Sequence, residues 1–548
     1  MKTQLRRNTV FFAIAFTVIL TMLSPPAWAA FGFTPYRALN TNAVKDKRMD
    51  ANADIATDGN GVWMAVWESN NDLTGGSATD TDIHMSISTD NGDTWSKPSA
   101  VNNDAASDDR QEERPRVVSD GDGHWVVAWP AYHSTDANVL VAASADDGDT
   151  WSDPQPLNPD ENWNDSFVAI ATDRQGVWIA VWQAFLPGGS SSTGDTDIYA
   201  SVSSNNGTTW SSPVLVNTTG SSDSGDDFAP DIASDGADTF VAVWHTQDTL
   251  GGTIGDDEDI LSARRSGKVS EWSAPVAVNA AVGDSATDEY PRIATDESGT
   301  WICTWTSSLT NGMDWEGDVL VANSADDGAT WSSATAINAS PESDTISDDD
   351  ACIATNEYGQ WFILWSAWKP GNGSDPFAGT TSMLVVGSDD GGDTWTNPYP
   401  LKLNAPPKDG ENGAPSITCD GDDRWIVVWD IYGKLGDARH RDDDIYLTTT
   451  KFPQAITVLK PNGGETINRD EKKKVTWTSL FGVEETVRLE LWRDGVFNVV
   501  LVSATQNDGS CNVKIPKNAD KGKGYTIRIV LDSDPAVFDE NDAPFSVK

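Results

Sequence analysis

Acidic side chains dominate the residues of this chain that could do chemistry. Three dense runs, Asp256-Asp257-Glu258-Asp259, Asp348-Asp349-Asp350 and Asp442-Asp443-Asp444, offer oxygen-only ligands of the kind that suit Ca2+, though none has the spacing of a defined calcium loop. A second acidic set recurs at one position of an internal repeat: Asp50, Glu112, Asp165, Asp227, Asp288 and Asp348, with Asn412 in the seventh place. Gathered at the mouth of one channel, these groups would favour a bound cation or raise one carboxyl pKa into acid–base range. Alternatively each caps its own loop, and recurs because the repeat recurs. Two arginines stand out against this excess. Arg116 and Arg292 each follow a proline at the same repeat position, and Asp54 and Asp231 hold that position one repeat earlier. Opposite charges so placed suggest ion pairs within the protein.

The frame that must position these groups repeats about every 60 residues, a period that points to a propeller. Its clearest marker is Ser88-Thr-Asp90-Asn-Gly92-Asp-Thr94-Trp95, repeated at Ser144–Trp151, Ser203–Trp210, Ser324–Trp331 and Ser388–Trp395. Arg265–Trp272 is a worn copy. The pattern reads as a tight hairpin in which Asp90, Asp146, Asn205, Asp326 and Asp390 cap backbone N–H groups and glycine takes the positive φ. A second marker brackets a short apolar run with aromatics: Trp63/Trp67, Trp125/Trp129, Trp178/Trp182, Phe240/Trp244, Trp301/Trp305, Trp361/Trp365 and Trp425/Trp429. An apolar strand precedes each bracket and another follows it, so each repeat reads as four strands: inner, bracketed, third and outer. Most hairpin tryptophans are followed seven residues later by Asn, as in Trp95 and Asn102. The seventh repeat stops at Pro453 without an outer strand, whereas Phe33 to Asn40 carries the same spacing at the other end of the chain. The expected fold is all-β: a seven-bladed propeller over 30–453, closed by its N-terminal strand.

After Pro453 the pattern changes to alternating strands over 454–548, read as an immunoglobulin-like sandwich. The Pro461-Asn-Gly-Gly-Glu465 opening and the Pro544-Phe-Ser-Val547 close resemble the Kre9/Knh1-like modules appended to secreted proteins. Within the repeats, the bracketed-to-third loops are long and mutually different, which is where binding normally lives. They bring Tyr132, Phe185, Trp315, Trp368, Phe377 and Tyr432 to one face, joined by Trp163. These rings either stack on sugars or pack beneath their own loops.

The hairpin copies resemble the Asp-box (BNR repeat) of sialidases and other β-propellers. That resemblance implies three channel arginines for a substrate carboxylate, a Tyr–Glu nucleophile and an Asp acid/base. Carried onto this chain, it points to Arg116 and Arg292, with Tyr290 and Glu289 (or Glu113) as the couple and Arg114, Arg439 or Arg441 as the third cation. The chain departs from the family in having seven repeats where sialidases have six blades. Its Pro-Arg order is also the reverse of the family's Arg-Ile-Pro.

Lys2, Arg6 and Arg7, an apolar run from Val10 to Leu23 and Ala27-Trp-Ala29 read as a signal peptide over 1–29. An exported, soluble chain without membrane insertion is expected, and a monomer. The formal charge is −47, and the last 95 residues are nearly neutral with 13 basic against 14 acidic groups. The field therefore belongs to the repeats; it repels nucleic acid and attracts cations, or serves solubility. The four cysteines, Cys303, Cys352, Cys419 and Cys511, lack metal-ligand spacing and read as buried thiols, with a Cys352–Cys419 bridge as the alternative. Zinc, nucleotide and serine-hydrolase signatures are missing. Three functions remain: a glycan- or surface-binding protein using the long-loop face, with Ca2+ as a candidate cofactor; a sialidase-like glycoside hydrolase; and a protein-interaction scaffold.

Overall fold

Short apolar runs bounded by turn residues build strands, and strands are the only regular elements among the described residues. The computed structural model describes residues 32–34, 36–40, 48–71, 80–105, 109–133, 136–159, 163–185, 195–218, 220, 225–255, 257–266, 271–279, 286–309, 317–338, 347–356, 358–369, 380–401, 411–421, 424–433, 442–451, 456–479, 486–507, 509–532, 538–541 and 543–548. Among them there is no helix. They form two compact units, 31–453 and 454–548. Residues 1–30, Trp315, Phe377, Asp256, Asn404, Arg439 and Arg441 lie outside the described residues.

In the larger unit the first repeat sets the pattern: Asp50–Thr57, Trp63–Ser69, Asp82–Ser88 and Ser99–Ala100 pair antiparallel in that order. The fourth, fifth and sixth repeats do the same. The second and third are joined in one sheet by a parallel bridge between Ala137 and Asn164. In the last repeat Asp442–Lys451 pairs with Trp425–Gly433 on one side and with Gly32–Phe33 and Arg37–Ala38 on the other. The inner strands touch in cyclic order, from Asp50–Thr57 through Arg116–Ser119 and onward to Ser416–Cys419, which touches Asp50–Thr57 again. The sheets thus stand around a central channel, a propeller arrangement.

The aromatic brackets explain how neighbouring sheets adhere. Trp63, Ala65 and Trp67 share one side of their strand and pack with Ile426, Val428, Ile445 and Leu447 of the last repeat. Met64 and Val66 face the opposite way, onto Trp125, Val127 and Trp129 of the second. Period-two geometry puts both bracketing tryptophans on the same side, toward the preceding sheet. The strand is buried along its whole length because each of its faces is an interface. Truncating such a tryptophan to alanine would cost about 3–5 kcal/mol.

The hairpins work as the sequence implies, and also as keys between sheets. Asp90 Oδ1 accepts the Thr94 N–H at 2.8 Å and the Ser88 hydroxyl at 2.9 Å, and Oδ2 accepts the Thr94 hydroxyl at 2.6 Å. Asp146, Asp326 and Asp390 repeat these bonds. Asn205 accepts the Thr209 N–H at 3.0 Å and donates to its hydroxyl at 2.9 Å. The hairpin glycine then seats against the bracketed strand of the preceding repeat: a Cβ on Gly207 would lie 2.5 Å from Val126 Cγ2.

The smaller unit sandwiches one core between two sheets. Ile456–Lys460, Lys472–Ser479 and Ser510–Lys514 make the first; Thr466–Ile467, Phe545–Val547, Gly522–Leu531, Thr486–Arg493 and Val496–Gln506 make the second, with Phe538–Glu540 beside Gly522–Leu531. Val475, Trp477, Leu489, Tyr525, Ile527 and Phe545 fill the space between. The buried Tyr525 ring keeps its hydroxyl satisfied by donating to the Asp520 carbonyl at 2.8 Å.

A matched pair of substitutions tests the keying. Gly59 and Gly207 have nearly the same φ, +71° and +73°, but a Cβ on Gly59 meets only the Asp420 carbonyl oxygen, at 3.6 Å. Gly59→Ala should cost about 1–2 kcal/mol from the left-handed backbone. Gly207→Ala should cost a further 1–3 kcal/mol for the clash with stiff Val126. The comparison is read from denaturation midpoints.

Candidate functional site

At the end of the sheets away from the hairpins, the inner strands break step. Their register shifts between Ala51 and Asp54, Ser166 and Ala169, Phe228 and Asp231, Glu289 and Arg292, and Asp349 and Cys352. At the equivalent point of each of the first six repeats one residue adopts the left-handed conformation: Asn52, Arg114, Phe167, Ala229, Tyr290 and Asp350, with φ between 45° and 57°. None is glycine, so each costs about 1–2 kcal/mol in backbone strain.

Side-chain acceptors from the preceding repeat hold four of these six bulges. The Arg114 N–H donates to Glu68 Oε2 at 2.8 Å, Ala229 N–H to Gln183 Oε1 at 2.8 Å, Tyr290 N–H to His245 Nδ1 at 3.3 Å and Asn52 N–H to Asp430 Oδ1 at 3.2 Å. Each acceptor directly follows the second bracketing tryptophan of the preceding repeat. Burial lowers the His245 pKa to about 4, so its ring is neutral and Nδ1 is free to accept. Burial also raises the Glu68 carboxyl, and pushes Asp430 up to about 7. Sequence reasoning missed this set. Its signal was present: the residue after the second bracketing tryptophan differs in every repeat and is polar in all but the second, where it is Pro130.

Tyr290 and Glu289 lie side by side here. The Tyr290 side chain is 43% exposed and edges onto His245 with ring centroids 5.5 Å apart. Glu289 is raised to about 7, first by burial, then by repulsion from Glu258. Nearby, the Arg114 guanidinium lies 4.8 Å over the Phe167 ring. This corner therefore combines an exposed ring, two mutually repelling carboxyls and a cation on an aromatic face.

The two arginines expected beside that couple belong to a different space. Arg116 and Arg292 line a channel cavity of about 530 Å3 whose walls include Asp54, Asp231, Cys352 and Ser416, but neither Glu289 nor Tyr290. Arg116 reaches Asp54 at 3.6 Å, as the charge pattern implies. Arg292 does not pair with Asp231: that carboxylate accepts the Ile293 N–H at 2.9 Å instead, and Arg292 has no hydrogen bond or ion pair among the described residues.

The recurring acids do not ring the channel mouth. Asp50, Glu112, Asp165, Asp227, Asp288 and Asp348 are at most 3% exposed. Asp50 accepts Trp67 Nε1–H at 3.1 Å and Asn40 Nδ2–H at 2.6 Å, and Asp227 accepts Trp244 Nε1–H at 2.9 Å and Asn217 Nδ2–H at 2.5 Å. The same amides also bond the acid that opens the third strand, as Asn217 does Asp197 at 2.8 Å. These acids clasp bracketed strand, third strand and loop together.

Of the residues expected to bind Ca2+, Asp259 and Asp348 are consumed in such clasps with Asn279 and Asn338. Asp349 accepts the Ser347 hydroxyl at 2.8 Å. Asp257 is half-buried, and Asp442 and Asp443 stand opposite Gly433 and Tyr432 on a strand pair. Among the described residues no three His, Cys, Asp or Glu side chains are grouped to hold a metal ion. Of the loop aromatics, Tyr432 is 40% exposed, while Tyr132, Phe185 and Trp368 are half-buried. Trp163 packs inward, its ring centroid 4.5 Å from that of Tyr199. All four cysteines are free; Cys352 and Cys419 are not bridged because they sit out of step, Cys352 facing Leu364 and Cys419 facing Trp425.

No family model matches the chain, and no curated protein matches it. By structure it is similar to a protein of unknown function from Dyadobacter fermentans, at 13% identity and a TM-score of 0.45 over 77% of this chain and 99% of that one. It is also similar to an α-L-arabinofuranosidase from Fusarium graminearum, at 13% identity and a TM-score of 0.43 over 76% and 97% of the two chains. A Hadza microbial sialidase compares at 14% identity and a TM-score of 0.41 over 70% and 76%.

The raised carboxyls give stability a definite pH dependence. A carboxyl whose folded pKa exceeds its unfolded value contributes stability below the unfolded pKa and loses it as pH rises through the folded one. For Glu289 that window runs from 4.5 to about 7, and for Asp430 from 3.8 to about 7. The melting temperature should fall across this window, and Glu289→Gln should make the fall shallower.

Proposed function

We propose that this chain is an exported, monomeric binding protein: a seven-bladed Asp-box propeller over 30–453, latched by its N-terminal strand and followed by an immunoglobulin-like sandwich over 454–548. Its ligand is an extracellular glycan, held on the long-loop face. Cyclic contact among the inner strands and pairing of residues 32–38 with Asp442–Lys451 support the ring. The Tyr525 hydroxyl tied to upstream backbone supports the sandwich.

The observation that carries the binding reading is the set of left-handed bulges. The scaffold repeats, yet the strained position holds Asn52, Arg114, Phe167, Ala229, Tyr290 and Asp350, six different residues. Strain kept where side-chain identity varies is the mark of a site rather than of a scaffold. Tyr290 and Tyr432 offer apolar faces for sugar C–H surfaces, while Arg114, Asn52 and Asp350 offer donors and acceptors for hydroxyls.

A second reading, glycoside hydrolysis, is favoured by the Glu289–Glu258 pair, because a carboxyl with a pKa near 7 can donate a proton at neutral pH.

Tyr290→Gly separates the readings. Relieving the left-handed strain should keep or raise the melting temperature, while affinity for the glycans selected on an array should fall at least about tenfold, the loss of one stacking ring. Unchanged affinity would sink the binding reading at this corner. Turnover of fluorogenic glycosides that disappears in Glu289→Gln would put hydrolysis in its place.

A further inference from the structure

Arg292 poses a problem that the rest of the structure does not solve. A guanidinium carries five N–H donors and stays charged at any ordinary pH. Where the protein offers such a group no acceptor, its donors are left to solvent or to a bound ligand. Arg292 is half-buried in the channel wall and makes no hydrogen bond or ion pair among the described residues. Burial and then the charge of Arg116 act to lower its pKa, against Asp231 and Asp350, which raise it, so a second cation and two carboxylates act on the same group. Arg116 has one long ion pair, to Asp54 at 3.6 Å, and that carboxylate is shared with the Val117 N–H at 2.9 Å and the Ser416 hydroxyl at 2.7 Å. Two guanidinium groups from the second and fifth repeats thus converge on one cavity, where the carboxylates of Asp54 and Asp231 are each partly engaged by a backbone N–H.

This space is separate from the loop-face corner. The cavity of about 530 Å3 is rimmed by the short turns at Gly59, Gly121, Glu297 and Gly421, and none of the left-handed bulge residues lines it. It is reached from the opposite rim. Its walls also carry Asp54, Asp231, Asp296 and Asp420, which disfavour a large polyanion but leave room for a small anion against the arginines.

We propose that a small inorganic anion, chloride or an oxyanion of phosphate size, binds in the channel against Arg292 and Arg116 as a structural ligand of the ring. It supplies the acceptors that Arg292 lacks, screens the two like charges from each other and ties together repeats that are not neighbours. The inference stands independently of the glycan reading.

The test is thermal unfolding of the intact chain at constant ionic strength, with sodium chloride or sodium phosphate progressively replacing sodium gluconate. The melting temperature should rise saturably by a few degrees, and the salt that acts at lower concentration identifies the preferred anion. The dependence should vanish in Arg292→Met and persist in Arg264→Met, whose arginine lies outside the cavity. Chloride-35 NMR gives a direct reading on the unaltered protein: its line should broaden, and phosphate should narrow it again if the oxyanion is preferred. A wild-type chain whose melting temperature ignores anion identity and whose chloride line stays narrow overturns the proposal, as does an anion dependence retained in Arg292→Met. If Arg292→Met does not fold, Arg292→Lys, which keeps the charge but loses the planar fork, should shift the anion midpoint at least tenfold upward.

Discussion

Everything in the larger unit depends on a strand that has no outside. Each aromatic-bracketed strand gives alternate residues to two different neighbours, so Trp63 and Trp67 belong to one interface and Met64 and Val66 to the next. No sheet here has a core of its own. An apolar face exists only when two sheets meet, and that one constraint fixes sheet spacing, the buried tryptophans and the need for a ring. The hairpin glycines and the Asn-centred clasps are consequences: both occur where one sheet must approach the next without a gap.

What was legible in the sequence was whatever is local. The hairpins could be read to the level of individual hydrogen bonds because Ser88, Asp90, Gly92 and Thr94 act on backbone within four residues of one another. The aromatic pairs that bracket each short apolar run were equally plain. The recurring acids were visible as a pattern that fitted either a ring at the channel mouth or caps of their own loops, since their partners, Asn217 for Asp227 or Trp67 for Asp50, lie 10 and 17 residues away in other elements. The acceptors under the bulges were out of reach. Glu68 meets Arg114 across 46 residues and Asp430 meets Asn52 across 378. Repetition reveals which positions correspond, but it does not reveal which correspondences touch.

Charge adds a second organising theme. The repeats carry nearly all of the −47 formal charge, yet many of their acids are not free to act on solvent. The clasp carboxylates are buried and bonded to amide and indole donors, and the hairpin carboxylates are held below their usual range mainly by threonine hydroxyl and N–H donors. In such a background a pair of channel arginines is conspicuous, and so is Glu289, a carboxyl that keeps a proton near neutrality.

The cyclic contact of inner strands has a cooperative consequence. In a linear stack of repeats the terminal units have one neighbour each and fray first, so the array loosens from its ends. Here Ser416–Cys419 lies against Asp50–Thr57, and every repeat has a neighbour on both sides. Opening any one interface strains the others without releasing a free end. Loss of structure in such a ring has no preferred starting point, and local opening gives way to a single concerted event.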